Sequence, residues 1–136
     1  MKGSSVEHTL PIRIYYEDTD FSGVVYHASY LRFLERGRTE WLRDLDVRQS
    51  ALYGEEDALA FAVRRMTIDW LKPAKMDDLI TVETRIAQIK GASLVLHQRI
   101  VIGEIVLLTA EVLVALVQNG KPARLTHALR AKLGVS

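Results

Sequence analysis

The chain has 136 residues, which suits one domain, and its 18 basic and 17 acidic residues give a formal net charge of +1. Both signs of charge are interspersed without a basic block, so nothing in the composition favours binding to nucleic acid. Because there is no cysteine, disulfides, thiolate catalysis and cysteine-ligated zinc are excluded.

The first half of the chain predicts a strand followed by a long helix. The segment LPIRIYY alternates like a strand and places Ile12 and Ile14 on one face. From about Ala28 to Leu45 the apolar residues follow a helical period instead. The predicted apolar stripe is Tyr30, Leu34, Gly37, Trp41 and Leu45. Glycine in mid-helix costs up to ~1 kcal/mol relative to alanine, so we expect a sheet to pack very close to the helix at Gly37.

The second half predicts four more strands and a short helix. A polar connection over residues 49–57 leads into ALAFAVRRMTIDWL, where the apolar parity switches at Arg64–Arg65 and predicts a β-bulge. The next strands are LITVETRI, SLVLHQRIVI and IVLLTAEVLVALV, with turn signals at Gly103–Glu104 and Asn119–Gly120. The final segment, THALRAKL, predicts a weakly amphipathic helix.

This order of elements predicts the α+β class. Because consecutive strands joined by short turns usually pair, we expect the last four strands to be antiparallel neighbours. An antiparallel sheet buries one face, and the long helix is the apolar element that can cover it. The expected architecture is a single domain over residues 1–136, with a curved sheet wrapped around one helix.

The stretch YYEDTDFSGVVYHASY, residues 15–30, has three carboxylates within four positions directly before the predicted helix. A solvated turn is the first interpretation, since Asp, Ser and Gly are common turn residues. However, the turn joins a buried strand to a buried helix, and the neighbouring GVVY is apolar. We therefore expect a partly desolvated carboxylate with a raised pKa, which could act as a base.

Three other interpretations assign chemistry to this stretch. Residues 18–23 match the first half of an EF-hand loop, but position twelve is Ser29 instead of a bidentate Glu, and a strand precedes the loop. Ser22 lies in no G-x-S-x-G elbow, which argues against a serine hydrolase. In the third interpretation, unpaired N–H groups at the helix start near Ala28 bind a carbonyl oxygen that becomes negative, and Asp20 reaches the same carbonyl carbon. That arrangement suits ester or thioester hydrolysis.

The segment RIYYEDTDFSGVVYHASYLRFLERGRTEWLR resembles the signature of the hot-dog-fold acyl-CoA thioesterases. It is most similar to the bacterial thioesterases associated with the Tol–Pal system and more distantly similar to 4-hydroxybenzoyl-CoA thioesterase. The resemblance is dense from Arg13 to Arg43 and rests on the spacing D-x-D-x-x-G-V-V-Y-H-A-x-Y. It implies a hot-dog fold, with five or six antiparallel strands around one long helix. The implied reaction is hydrolysis of an acyl-CoA to a free acid and coenzyme A.

The resemblance also implies which residues are catalytic. The family's catalytic carboxylate, a nucleophile or a general base, corresponds to Asp20. The backbone N–H near His27 would polarise the thioester carbonyl, and Tyr16 and the His27 side chain match two further polar positions of the site. Glu17 and Asp18 are expected to be turn or pairing residues.

The resemblance further implies where the substrate binds. The family's usual AGG or PAG after the second Asp is FSG here, a change expected to affect the acyl pocket more than the chemistry. The expected substrate-binding residues are Gly23, Val25, Lys90 and Ser93. Lys90 and Ser93 flank a turn that lies near the coenzyme A nucleotide in related proteins.

Acyl-CoA is the expected partner, together with further copies of the chain. Coenzyme A is part of the substrate, so no separate cofactor is expected, and the scattered His8, His97 and His127 predict no metal site. The family dimerises edge to edge and often forms tetramers, which implies a homo-oligomer. No apolar run reaches the ~18 residues of a membrane helix, and the N-terminus lacks the apolar core of a secretory signal. We expect a cytoplasmic bacterial protein without a membrane span.

Two rival functions use the same fold. A non-catalytic protein that binds acyl-CoA, an acyl carrier or another partner is the main rival, although pure binding does not need Asp20. A hot-dog dehydratase is the second, but those enzymes carry their catalytic His and acidic residue in a different motif, which the sequence lacks.

Overall fold

The computed structural model describes residues 8–45, residue 47 and residues 59–134, so the predicted connection over residues 49–57 lies outside the described residues. The elements in chain order are β1 (His8–Arg13), a 3-10 turn (Tyr16–Asp18), α1 (His27–Asp44), β2 (Leu59–Trp70), β3 (Leu79–Ile89), β4 (Ser93–Ile102), β5 (Ile105–Gln118), β6 (Lys121–Pro122) and α2 (His127–Lys132). The predicted strand, long helix, later strands and short final helix are all present. Among the described residues, no helix is both long and apolar enough to cross a bilayer.

The six strands form one antiparallel sheet in the order β1-β3-β4-β5-β2, with the two-residue β6 paired to β5. The predicted pairing of consecutive strands is right for β3, β4 and β5 but wrong for β2, which pairs with β5. Residues 71–78, the connecting loop, are too many for a tight hairpin between β2 and β3. The backbone of this loop binds the acidic turn instead, because the Val25 N–H donates to the Ala74 carbonyl at 2.9 Å.

The local irregularities of the sheet follow the predicted signals. The register of β2 against β5 shifts between Val63 and Arg65, which confirms the predicted bulge. Gly103 has φ of +57° in the β4–β5 turn. Asn119 and Gly120 both have positive φ, 52° and 78°, as a tight two-residue hairpin requires.

Helix α1 lies against one face of the sheet and forms the core with it. The buried residues of α1 are Ser29, Tyr30, Phe33, Leu34, Gly37, Trp41 and Leu42. The fully or nearly fully buried sheet residues on the facing side include Ile80, Val82, Ile86, Leu94, Leu96, Ile100, Leu108, Val112 and Leu116. The apolar residues predicted on one face of the helix and on one face of the strands therefore form one core. Phe33 also belongs to this core, although the predicted stripe did not include it.

Helix and sheet approach each other very closely at Gly37, as predicted. A methyl group on Gly37 would lie 2.6 Å from Val82 Cγ1, 3.2 Å from Gln98 Nε2 and 3.3 Å from Thr84 Oγ1. Real Cβ atoms do not approach other heavy atoms to 2.6 Å. The glycine is therefore required by the proximity of β3 and β4.

Gln98 is a buried polar residue in the core that the strand pattern did not reveal. Its Nε2 donates to the Leu34 carbonyl at 3.0 Å and to Thr84 Oγ1 at 2.9 Å. Its Oε1 accepts a hydrogen bond from Arg38 at 3.0 Å. The amide thus joins α1 to β3 and β4, and its polar atoms are satisfied although it is fully buried.

We expect Gly37→Ala to lower the free energy of unfolding by roughly 1–3 kcal/mol, the usual cost of overpacking a core. The better helix propensity of alanine, worth up to about 1 kcal/mol, acts in the opposite direction, so we expect the net loss in the lower part of that range. Denaturant unfolding followed by circular dichroism measures the change.

Gly91→Ala is the matched control for this substitution. The atoms nearest to a methyl group there would be those of the Arg124 guanidinium, the first at 3.1 Å, and that flexible side chain can move. We expect near-wild-type stability for the control. Equal losses of stability in the two variants would contradict the close packing at Gly37.

Candidate active site

The acidic stretch folds into a tight turn between the 3-10 turn and α1. The Asp20 N–H donates to the Val24 carbonyl at 2.8 Å, and the Gly23 N–H donates to the Asp20 carbonyl at 3.0 Å. Thr19 and Val25 form an isolated β-bridge that closes the turn. Gly23 has φ of +86°, a conformation that favours glycine over residues with a side chain. The turn therefore fixes the backbone on both sides of Asp20.

Asp18 is a structural carboxylate. It is only 6% exposed, and its Oδ2 accepts the Tyr15 N–H at 2.9 Å. Its other oxygen lies 3.5 Å from the Arg32 guanidinium, and its backbone carbonyl accepts the Tyr26 N–H at 3.0 Å. These contacts confirm the predicted turn and pairing role, because a buried carboxylate is stable only when its oxygens are satisfied.

Most backbone N–H groups around the helix start are already used. Those of Val25, Tyr26 and Ser29 donate to Ala74, Asp18 and Tyr26 respectively, at 2.9, 3.0 and 2.9 Å. His27 and Ala28 are the first two residues of α1, so their N–H groups have no acceptor inside the helix. With the partial positive charge of the helix end, these two are the donors suited to an anion.

A cavity of about 250 Å³ lies at this helix start, and His27 is one of its lining residues. The residues that line this Asp20 cavity are Asp20, Val24, Val25, His27, Tyr30, Trp70, Leu71, Lys72 and Pro73. The structure thus brings together three of the predicted site residues, Asp20, Val25 and His27. It adds the end of β2 and the connecting loop, which the sequence analysis did not place at the site.

Aromatic side chains form one wall of the Asp20 cavity. The ring of Trp70 lies edge-on to His27 at 4.7 Å between centroids and to Tyr30 at 5.4 Å. The Tyr30 hydroxyl accepts the buried Ala74 N–H at 2.8 Å, which fastens the connecting loop to α1. Burial raises the pKa of Tyr30, so its hydroxyl is neutral at physiological pH.

The environment of the Asp20 carboxylate differs from the predicted one. The side chain is exposed, and its Oδ1 accepts two hydrogen bonds from Ser22, at 2.6 Å from Oγ and 2.8 Å from the backbone N–H. These bonds lower the pKa of Asp20 below its ordinary value. The expected raised pKa is therefore wrong for the single chain, because hydrogen bonds to the charged form outweigh desolvation at the cavity edge.

The remaining predicted site residues lie elsewhere. Tyr16 is 78% exposed at the start of the 3-10 turn, and it does not line the Asp20 cavity. Gly23 shapes the turn but is not a lining residue either. Lys90 borders a separate hollow with residues of β2 and β5, and its N–H donates to the Ser93 carbonyl at 2.8 Å. The catalytic role of Tyr16 and the substrate contacts of Gly23, Lys90 and Ser93 stay predictions.

The histidines outside the acidic stretch do not line the Asp20 cavity. His8 Nε2 lies 3.0 Å from an Asp44 oxygen, and His127 is the first residue of α2. Burial and the nearby Arg85 lower the pKa of His97 on the sheet. Within residues 8–45, 47 and 59–134, no three His, Cys, Asp or Glu side chains are grouped as a metal site would need.

We expect Tyr30→Phe to lower the free energy of unfolding by about 1–3 kcal/mol, because it leaves the buried Ala74 N–H without an acceptor. Thermal unfolding measures the loss, and faster hydrogen exchange at Ala74 would locate it. Tyr26→Phe is the matched control, since the Tyr26 side chain is exposed to solvent. Unchanged exchange at Ala74 in Tyr30→Phe would contradict the fastening role of the hydroxyl.

Comparisons with known proteins show which family the chain belongs to. The profile of the thioesterase-like superfamily matches residues 15–133. The chain is 50% identical over 113 residues to the acyl-CoA thioesterase YbgC of Haemophilus influenzae, covering 83% of this chain and 82% of that one. It is 49% identical over 125 residues to the acyl-CoA thioester hydrolase YbgC of Escherichia coli O6:H1, covering 90% and 92%.

A solved structure extends the similarity to three dimensions. A probable thioesterase from Bartonella henselae matches with a TM-score of 0.85 at 46% identity, covering 89% of this chain and 100% of that one. The predicted hot-dog fold and the predicted enzyme class, a thioester hydrolase, are confirmed by these similarities. By its sequence profile, its relatives and its fold, the chain belongs to the thioesterase-like superfamily.

Proposed function

We propose that this protein hydrolyses acyl-CoA thioesters to a free acid and coenzyme A, with Asp20 as the catalytic carboxylate. The observation that carries the proposal is that Asp20 and His27, the first residue of α1, line the same cavity. A carboxylate and a helix start on one cavity provide the two functions that acyl transfer needs, activation of the attacking group and stabilisation of the oxyanion.

The N–H groups of His27 and Ala28 are the proposed oxyanion hole. Attack on the thioester carbon places a negative charge on the carbonyl oxygen, and these two N–H groups are available to bind it because they have no acceptor inside the helix. One such donor is typically worth roughly 10²–10³ in turnover. The three neighbouring N–H groups are excluded from the role, because each already donates to a backbone carbonyl.

Asp20 is ionised at neutral pH, as either mechanism for it requires. As a general base it takes a proton from water while the water oxygen attacks the thioester carbon. The tetrahedral intermediate then expels the sulfur of coenzyme A, which recovers the proton. As a nucleophile, the carboxylate expels the sulfur itself and forms a mixed anhydride, which water hydrolyses. The general-base and the nucleophilic mechanism both use the Asp20 carboxylate in the Asp20 cavity.

Other lining residues suit the two ends of an acyl-CoA. Trp70 and Leu71 provide apolar surface for an acyl or aryl group. Lys72 places a cation beside them, which would attract the phosphates of coenzyme A. The names of the Haemophilus and Escherichia relatives support acyl-CoA as the substrate class.

We also propose that the protein works as a homo-oligomer, a dimer or a tetramer. The twelve-residue β2 is an edge strand, and its exposed residues include Val63 and Trp70 at 46% and 45%. A long edge with apolar side chains is a surface that a second copy can pair with. The cytoplasmic location, the lack of a separate cofactor and the association with the Tol–Pal system stay predictions.

We expect Asp20→Asn to retain the fold and to lose at least ~10² in turnover, since general-base catalysis is typically worth 10²–10⁴. Thiol release from a panel of short-chain, long-chain and aromatic acyl-CoAs measures the activity and ranks the substrates. Glu17→Gln is the matched control, an exposed carboxylate of the same turn that should keep wild-type turnover.

The same panel decides between hydrolysis and binding alone. Near-normal turnover in Asp20→Asn would remove the proposed mechanism. Tight binding of acyl-CoA without thiol release by the wild-type protein would instead support the non-catalytic rival.

A further inference from the structure

We propose that Ser22 is a positioning residue for the reaction, which holds one carboxylate oxygen of Asp20 so that the other is presented to the substrate. The inference rests on the proposed catalytic function of Asp20. Ser22 donates from Oγ at 2.6 Å and from its backbone N–H at 2.8 Å, and both bonds end on Oδ1. Neither uses Oδ2, so that oxygen is the one assigned to proton transfer or to attack.

The surroundings explain why an anchor is needed. The backbone of Asp20 is held on both sides by bonds with Val24 and Gly23, but its side chain is exposed at the cavity edge. An exposed carboxylate without neighbours would rotate among several rotamers. A catalytic group must stay within a narrow range of positions, and a misplacement of about 1 Å can cost 10²-fold in rate. Ser22 supplies the restraint that burial would supply elsewhere.

The two hydrogen bonds also set the acidity of the carboxylate. The Ser22 hydroxyl is the largest cause, and its N–H the second largest, of the lowered pKa of Asp20. A lower pKa keeps Asp20 ionised to more acidic pH. Activity that needs the carboxylate therefore persists further into the acid range. Removal of the hydroxyl raises this pKa, and the acidic limb of the pH–rate profile must move to higher pH.

The test compares kcat/KM against pH for wild type, Ser22→Ala and Ser22→Thr on one acyl-CoA, with Asp20→Asn as the reference for loss of the carboxylate. Alanine removes the hydroxyl and keeps the backbone N–H bond, whereas threonine restores the hydroxyl. For Ser22→Ala we expect the acidic limb at higher pH and kcat lower by roughly 10- to 100-fold, from the cost of misplacement. KM should change little, and Ser22→Thr should return both values toward wild type.

A second readout does not depend on activity. The titration of the Asp20 carboxyl carbon, followed by NMR, should move to higher pH in Ser22→Ala and return in Ser22→Thr. Circular dichroism confirms that the variants are folded. Coincident titrations in wild type and Ser22→Ala would overturn the proposal even if turnover fell.

The outcomes separate this inference from the function on which it rests. If Asp20→Asn is inactive while Ser22→Ala has the wild-type profile, Ser22 has no positioning role and the proposed function stands. If Asp20→Asn is active, both fail. The third outcome has two parts: Ser22→Ala is as inactive as Asp20→Asn at every pH, and the wild-type protein carries an acyl group on Ser22. In that case the serine is a nucleophile and the positioning role is wrong.

Discussion

The closeness of α1 to the sheet at Gly37 is the constraint on which the rest of the structure depends. Because this position has no side chain, β3 and β4 lie very close to the helix. A methyl group added to Gly37 would clash with Val82 Cγ1 at 2.6 Å. Gln98 fills the remaining polar gap by donating to Leu34 and accepting from Arg38. The helix is thereby fixed in both rotation and height over the sheet, since a buried amide with specific partners tolerates little displacement.

A helix fixed in this way has a fixed start, and that start is where the site lies. Tyr30, one turn into α1, accepts the Ala74 N–H, while Ala74 in turn accepts the Val25 N–H. The connecting loop is therefore bonded to the helix through a side chain and to the acidic turn through the backbone. The acidic turn and the helix start, which follow each other in the chain, thus meet the distant connecting loop at the Asp20 cavity through these few hydrogen bonds.

The sequence predicted the elements better than their arrangement. The helical stripe of α1, the bulge in β2 and the turn at Asn119–Gly120 depend on local patterns, and the structure confirms them. The pairing of β2 with β5 could not be predicted from adjacency in the sequence, because β3 and β4 lie between these two strands in the chain. The burial of Gln98 could not be predicted either. Its hydrogen-bond partners Leu34 and Thr84 lie far away in the chain, so the local sequence around it does not indicate them.

Only part of the site could be predicted, again because local patterns are visible in the sequence and tertiary contacts are not. Asp20 and His27 lie within one short motif, so their common cavity follows from local chemistry. Trp70 and Lys72 belong to the end of β2 and the connecting loop, and only the tertiary fold brings them to the helix start. The charge environment of Asp20 was predicted wrongly because burial was inferred from apolar neighbours in sequence, which do not enclose the carboxylate in space.

The acidic stretch places two aspartates two positions apart in opposite environments. Asp18 is buried and bonded, and its oxygens serve the turn and the helix start. Asp20 is exposed and bonded on one oxygen only to Ser22. Water around Asp20 favours its charged form before substrate binds. An acyl-CoA that covers the cavity would displace that water and make the carboxylate more basic, because desolvation raises the pKa of an acid. The Ser22 bonds oppose that rise, so the reactivity of Asp20 depends on how completely the bound substrate excludes water.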